Sequence, residues 1–89
     1  MGYINKDDYS FLANSIKCDT MAGRIKLLRY ERGLTLVQAS VESGISKTSL
    51  CSWENGKVEP GAFGLICLSD FYKVSVDYLL TGKKSEYER

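Results

Sequence analysis

A group of small polar side chains near the middle of this 89-residue chain could hydrogen-bond to a nucleic acid. On the side of a predicted helix opposite Leu50 and Trp53 are Lys47, Thr48, Ser49, Ser52 and Asn55. A short helix with small polar side chains and a cation at its start has the size and the donors to enter a DNA major groove. Spacing alone leaves an equal alternative, because two short helices joined by a turn are also a general structural unit.

Two short helices and a tight turn are predicted to position these side chains. Thr35 and Gln38 have the spacing of a capping box, which predicts a helix over residues 36–43. Gly44 suits a turn that needs a positive φ. Ser46 is the predicted N-cap of the helix that carries the polar side chains.

Three further helices are predicted to support this unit. The first covers about residues 20–32, the next follows Pro60, and the last covers about residues 76–80. The apolar positions with helical spacing that are predicted to face the core are Met21, Ile25, Leu28, Leu65, Leu68 and Tyr72.

Residues 1–19 form an N-terminal extension in which a further helix is predicted. Asn5 could cap it, and Asp7 and Asp8 would lie at the positive end of its dipole. This extension is expected to pack on the main body, with a docking or dimerisation arm as the alternative. Residues 83–89 form a charged tail.

Composition favours one small all-α domain. Hydrophobic residues make up 44% of the chain and charged residues 26%, which is enough for one packed core at this length. The chain has one Pro and no alternating run of β-branched and aromatic residues bounded by turns. Strands are therefore not expected.

The charge is nearly balanced, so any binding to nucleic acid must depend on local charge. Formal net charge is +1, from 12 Lys and Arg residues against 11 Asp and Glu residues. Residues 20–57, however, contain six cationic and three anionic residues. This local excess supports a DNA-binding surface there, since phosphate contacts depend on where cations lie rather than on their total.

Several kinds of site are not expected. Cys18, Cys51 and Cys67 are far apart and the chain has no His, which argues against a zinc site or a disulfide framework. No arrangement of catalytic residues or Gly-rich phosphate loop is present, so we expect no enzyme activity, no cofactor and no metal. No stretch approaches the ~20 apolar residues that span a bilayer, and the N-terminus is too polar for a signal peptide. We therefore expect a soluble, cytoplasmic protein.

Several segments together resemble the phage repressor and Cro type of helix-turn-helix domain, also called Xre-type or lambda-repressor-like. The resemblance spans about residues 21–82 and rests on Arg24-Ile25-Lys26, Leu28-Arg29, Gly33-Leu34-Thr35, Gly44-Ile45-Ser46, Trp53-Glu54-Asn55-Gly56-Lys57, Pro60 and Val74-Ser75-Val76-Asp77-Tyr78-Leu79-Leu80. It implies a lambda-repressor-like bundle of five short helices over residues 20–82, in addition to the predicted N-terminal helix. It also implies binding to double-stranded DNA.

The resemblance assigns roles to individual residues. Lys47, Thr48 and Ser52 correspond to positions that read bases. Arg29 corresponds to a residue that forms an ion pair with the position of Glu54, and this pair would brace the reading helix. From their charge or their place near helix ends, the residues expected to contact the DNA backbone are Arg24, Thr35, Ser49, Asn55 and Lys57.

The expected function is a sequence-specific transcriptional regulator, acting as a repressor on an operator. One reading helix covers too few base pairs to select an operator in a genome, so a homodimer on a palindromic operator is expected. Tyr78 and Leu80 are the expected dimer surface, with Phe63 or the N-terminal helix as alternatives. The alternative function is a protein-interaction module, such as an antitoxin or a regulatory adaptor, with an idle DNA face.

The chain departs from the family pattern at two places in the second helix. Leu36 stands where family members usually have a polar residue that helps to hold a phosphate, and Ala39-Ser40 replaces a Leu-Ala pair. The missing core volume beside Ala39 is expected to be filled by Val37 or by Trp53.

Overall fold

The computed structural model describes residues 19–83, which form five α-helices: α1 Met21–Glu31, α2 Leu36–Ser43, α3 Lys47–Glu54, α4 Ala62–Tyr72 and α5 Val76–Thr81. Residues 19–83 contain no strand, which agrees with the predicted all-α class. The predicted N-terminal helix and most of the charged tail fall in residues 1–18 and 84–89, outside the described residues.

Side chains just before four of the helices cap them. Thr20, Thr35, Ser46 and Ser75 each accept a hydrogen bond from the backbone N–H three residues further on. At the start of α2 the predicted capping box is complete, because the Thr35 N–H also donates to Oε1 of Gln38 at 2.8 Å. These local bonds explain why the helices begin where the sequence predicts.

The core contains at least one buried side chain from every helix. Each of these side chains is at most 4% exposed, and the set is Ile25, Ala39, Leu50, Leu68, Tyr72 and Leu79. Helix α1 is central to the packing, since it contacts α3, α4 and α5. Burial of apolar surface in these contacts, and in those of α2 with α3 and of α4 with α2 and α5, assembles the bundle.

Trp53, unlike Val37, packs against the core cluster to which Ala39 belongs. Val37 is 54% exposed, so the expectation that it fills the core is wrong. Trp53 is partly buried and packs against the core cluster. Ser40 fits beside Ala39 because its hydroxyl donates to the Ile45 carbonyl at 2.6 Å, which satisfies the polar group.

The corner between α2 and α3, residues 39–50, has the same construction as the corner between α4 and α5, residues 68–79. In each, a serine in the last turns of the first helix donates its hydroxyl to a carbonyl beyond the turn. Ser40 donates to Ile45, and Ser69 donates to Val74. Each bond ties the end of one helix to the segment that leads into the next.

The rest of each corner also corresponds position by position. The residue before Ile45 or Val74 is left-handed, with φ of 79° at Gly44 and 57° at Lys73. The residue after it is the serine N-cap of the second helix. That helix then buries a leucine in the core: Leu50 in α3 and Leu79 in α5.

Helices α1 and α4 are the longest between residues 19 and 83, with 11 residues each. In this part of the chain no helix has the length and apolar character that crossing a membrane requires.

Candidate nucleic-acid interface

Helix α3 points its polar side chains away from the core. Lys47 and Thr48 are exposed and Ser52 is half-buried, while Leu50 on the opposite side is buried. Successive residues of an α-helix are about 100° apart, so Thr48 and Ser52, four positions apart, lie on the same side. The three predicted base-reading residues therefore line the outer side of one short helix.

The start of α3 is held by a serine pair. The Ser46 hydroxyl accepts from the Ser49 N–H at 3.1 Å and donates to the Ser49 hydroxyl at 2.9 Å. Ser49 is consequently half-buried and takes part in the cap. Its own hydroxyl hydrogen is not used by these two bonds, so it can donate to a phosphate beside the helix start.

The end of α3 is held by a buried ion pair between Arg29 and Glu54. Nε and Nη2 of Arg29 donate to Oε2 and Oε1 of Glu54, each at 2.8 Å, and the two side chains are 7% and 3% exposed. Nη1 of Arg29 donates to the Leu34 carbonyl at 2.8 Å. One guanidinium on α1 thus holds both the end of α3 and the segment that leads into α2.

The pKa values of Arg29 and Tyr72 are both shifted by burial and by neighbouring charges at this end of α3. Burial acts to lower the pKa of Arg29, but the hydrogen bonds and negative charge of Glu54 outweigh it and raise that pKa, so Arg29 stays charged. Burial and the Glu54 charge raise the pKa of Tyr72. Among residues 19–83, the Tyr72 hydroxyl has no hydrogen-bond partner. The ion pair therefore sits in a poorly solvated environment.

The predicted phosphate contacts of α2 are best met by backbone donors. The Thr35 N–H is bonded to Gln38, and the Thr35 hydroxyl accepts from the Gln38 N–H. The N–H groups of Leu36 and Val37 are in the first turn, where a helix provides no acceptor. They lie at the positive end of the helix dipole, so they can donate to a phosphate although Leu36 has no polar side chain.

Beyond α3, Asn55 and Lys57 are both exposed, as a phosphate contact requires. Nδ2 of Asn55 also donates to Sγ of Cys51 at 3.3 Å. Cys51 belongs to the outer side of α3 although it is not among the predicted contacts. Its position four residues after Lys47 and four before Asn55 was the sequence signal for this placement.

Arg24 lies in the interior, which corrects the expectation that it contacts a DNA phosphate. It is 5% exposed, and its Nε and Nη2 donate to the carbonyls of Leu79 and Leu80, each at 3.0 Å. These carbonyls are in the last turn of α5, where a helix provides no donor. Arg24 therefore caps the C-terminal end of α5, a contact across 55 residues that no local pattern signals.

The predicted dimer residues lie on α5 on either side of the buried Leu79. Leu80 is 49% exposed and Tyr78 is half-buried. Residues 19–83 contain no group of three or more His, Cys, Asp or Glu side chains that could hold a metal ion.

Comparison with known proteins identifies the family. A family model described as helix-turn-helix matches residues 25–79, which is more than half of the chain. The chain belongs to the helix-turn-helix family. The matched residues contain the Arg29 and Glu54 pair, helix α3 and both corners.

This helix-turn-helix chain is similar to two characterised proteins. The HTH-type transcriptional activator BcrR of Enterococcus faecalis is 34% identical over 61 residues, which are 68% of this chain and 30% of BcrR. The chain therefore spans about a third of the length of that curated relative. The crystal structure of the P22 c2 repressor protein in complex with synthetic operator 9T in the presence of Tl⁺ is 30% identical. That likeness has a TM-score of 0.67 and covers 72% of this chain and 97% of the repressor chain, which confirms the repressor-like fold.

Proposed function

We propose that this protein is a sequence-specific, double-stranded DNA-binding transcriptional regulator that reads the major groove with α3. The observation that carries this proposal is the outer side of α3, where Lys47, Thr48 and Ser52 project from a helix held at both ends. Ser46 caps its start and the buried Arg29 and Glu54 pair fixes its end. Because α3 is held at both ends, its backbone needs little further ordering when the side chains meet the bases.

The charges around α3 favour contact with phosphates. Lys47 and Lys57 are exposed at its two ends. Glu54, the acid between them, is buried and neutralised by Arg29, so it does not offset them at the surface. The DNA face is therefore locally cationic although formal net charge is only +1.

Each contact has a chemical role in this proposal. The Lys47 ammonium donates to the acceptors of a guanine, and the hydroxyls of Thr48 and Ser52 accept or donate and so read less strictly. Lys57, Asn55, Ser49, the Thr35 hydroxyl and the first N–H groups of α2 hold the backbone.

The relatives support regulation of transcription in both directions. One is named a transcriptional activator, and the other is a repressor bound to an operator. The helix-turn-helix family and the repressor-like fold thus favour a DNA-binding regulator over an enzyme. We propose repression, which results when the operator overlaps a promoter. Expression of the chain should then lower the activity of a reporter gene placed under that promoter.

A homodimer on a palindromic operator completes the proposal. One α3 reads only a few base pairs, and two copies on a two-fold axis double that information. The half-sites should be centred about 10 base pairs, or one duplex turn, apart. Helix α5 has only six residues and offers a small patch, so the dimer should be weak in solution and complete on DNA.

Selection of bound sequences from random duplexes tests the central claim. An enriched palindromic motif is expected, with affinity that falls steeply with salt. Lys57→Ala should weaken all duplexes alike and reduce the salt slope by about 1, whereas Lys47→Ala should cost about 1–3 kcal/mol on the best site and relax one base position. Lys73→Ala, an exposed cation at the end of α4, is the matched control and should change neither.

Other outcomes would change the assignment. No enriched motif and a flat salt dependence would favour the protein-interaction module. Uniform weakening by Lys47→Ala would make Lys47 a phosphate contact. Sedimentation with a palindromic duplex should show two chains per duplex, lost in Leu80→Asp; one chain per duplex at saturation would defeat the two-fold model.

A further inference from the structure

Each corner of the fold has its second helix tied to α1 by a buried arginine. In the α2–α3 corner, Arg29 holds the end of α3 through Glu54. In the α4–α5 corner, Arg24 holds the end of α5 through the carbonyls of Leu79 and Leu80. The correspondence between the corners therefore extends to the way in which their outer helices are fixed.

The side chains presented by the two outer helices differ in chemistry. Where α3 has Lys47 and Thr48 after its N-cap, α5 has Val76 and Asp77 at the same places. Where α3 has Cys51 next to its buried leucine, α5 has Leu80, which is 49% exposed. The carboxylate of Asp77 repels phosphate, and the exposed apolar side chain of Leu80 suits contact with a protein surface.

The last turn of α5 depends on Arg24 for its hydrogen bonds. Of the last four carbonyls of this six-residue helix, that of Tyr78 accepts from the Gly82 N–H at 2.8 Å, and those of Leu79 and Leu80 accept from Arg24. The cation also lies at the negative end of the helix dipole. Because so short a helix is not stable alone, its position depends on this contact and on the buried Leu79.

Gly82 makes room for the guanidinium. Its φ is 76°, and a Cβ added there would lie 3.0 Å from Nη1 of Arg24. Gly33 has a similar φ of 69°, but a Cβ there would meet nothing within 4 Å. Only at Gly82, then, does the absence of a side chain serve both the backbone turn and the close approach of Arg24.

We propose that Arg24, seated against Gly82, is a positioning residue for the dimer surface: it holds α5 on α1 so that Tyr78 and Leu80 meet a second copy of this chain. This inference rests on the two-fold model of the proposed function. It gives Arg24 a part in cooperative DNA binding with no contact to DNA.

The test compares binding to a duplex with one half-site and to a duplex with two, at several salt concentrations. Arg24→Met should leave half-site affinity and its salt slope unchanged, and should reduce the cooperative gain on two half-sites at least fivefold, the lower end of the roughly 5–150-fold range of coupled sites. Amide exchange should become faster at residues 79–82 and stay the same in α3. Lys26→Met, which removes a cation from the same helix, is the control and should change none of these.

Two milder variants serve if Arg24→Met does not fold. Arg24→Lys keeps the charge but loses the planar fork, and should lose cooperativity in part. Gly82→Ala should lower cooperativity more than Gly33→Ala, because both strain the backbone but only the first crowds Arg24.

The contrary results are distinct from one another. A half-site salt slope that falls by about 1 in Arg24→Met would make Arg24 a phosphate contact and overturn the inference. Unchanged cooperativity in this variant would also overturn it. If the unsubstituted chain binds two half-sites without cooperativity, both the two-fold model and this inference are refuted. If the unsubstituted chain selects no sequence from random duplexes, the proposed function itself is refuted.

Discussion

The two corners of this protein share one construction but present different chemistry. Residues 39–50 and 68–79 both contain a serine bonded to a carbonyl beyond the turn, a left-handed residue, a serine N-cap and a buried leucine. The outer helix of the first carries hydroxyls and a lysine, and that of the second carries valine, aspartate and an exposed leucine. We propose that the corner is a scaffold and that its few exposed side chains determine whether it contacts DNA or protein.

The braces of the two corners differ in electrostatics. Arg29 holds α3 through the buried carboxylate of Glu54, whereas Arg24 holds α5 through the carbonyls of Leu79 and Leu80. Loss of Arg29 leaves the charge of Glu54 unpaired in the interior, whereas loss of Arg24 removes two donors from the carbonyls of Leu79 and Leu80. Helix α3 should therefore depend more strongly on Arg29 than α5 does on Arg24.

The largest effect is expected from Arg29→Met. It should destabilise the fold by about 3–5 kcal/mol, because the carboxylate of Glu54 would remain buried without its cation. The midpoint of urea denaturation at neutral pH measures this loss.

The double variant Arg29→Met with Glu54→Leu is the control. It should recover much of the lost stability, since it leaves no charge buried. A double variant as unstable as Arg29→Met would show that the shape of the pair, and not its charge, supports α3.

Arg24→Met should have a smaller effect, about 1–3 kcal/mol, because the carbonyls of Leu79 and Leu80 lose their donors. Urea denaturation under the same conditions gives the comparison. A loss as large as that of Arg29→Met would remove the proposed difference between the two braces.

The left-handed position is a glycine in one corner, Gly44, and a lysine in the other, Lys73, so substitutions at the two positions can be compared. Gly44→Ala should destabilise by about 1–2 kcal/mol, because its φ of 79° is unfavourable for a residue with a Cβ. Lys73→Gly should stabilise by about 1 kcal/mol, because it relieves the same strain at a φ of 57°. Lys73→Ala, which removes the ammonium but keeps the Cβ, is the control, and thermal unfolding of all three measures the effect.

The two corner serines should matter equally. Ser40→Ala and Ser69→Ala each remove one hydroxyl donor to the carbonyl of Ile45 or Val74, and each should cost about 0.5–1.5 kcal/mol. Chemical denaturation of both variants tests this. A clear difference between the two variants would show that the two hydrogen bonds, although alike in geometry, contribute unequally to the stability of the fold.

The smallest effect at neutral pH is expected from Tyr72→Phe, which removes a buried hydroxyl that has no partner among residues 19–83. The pKa of Tyr72 is raised by burial and by Glu54, against opposing effects of Arg29 and Arg32. The folded chain therefore holds the phenol proton more tightly than the unfolded chain does. The contribution of the protonated Tyr72 to the free energy of unfolding should be fully present below about pH 10, the ordinary pKa of tyrosine. It should be lost as the pH rises above that value.

Denaturation midpoints at about pH 7 and about pH 11 test this sign. The parent should lose more stability than Tyr72→Phe between the two. Equal losses would mean that the surroundings of the Arg29 and Glu54 pair are better solvated than the buried hydroxyl indicates.

Local features of the sequence determined the helices and their ends. These features act over three or four residues, so their effects can be predicted from spacing. They are the capping box of Thr35 and Gln38, the N-caps Ser46 and Ser75, and the turn residue Gly44. The ion pair of Arg29 and Glu54, by contrast, was expected only from the family resemblance. Residues 25 positions apart carry no local signal that they meet.

Tertiary structure alone decided where the side chains of α1 and α2 go. Arg24 has the charge of a phosphate contact, but the packing of α1 on α5 directs it to carbonyls 55 and 56 residues away. Val37 has the character of a core residue, but the orientation of α2 exposes it while Trp53 packs on the core. Helix periodicity specifies which residues share a side, whereas the direction in which that side faces depends on burial summed over all the helices.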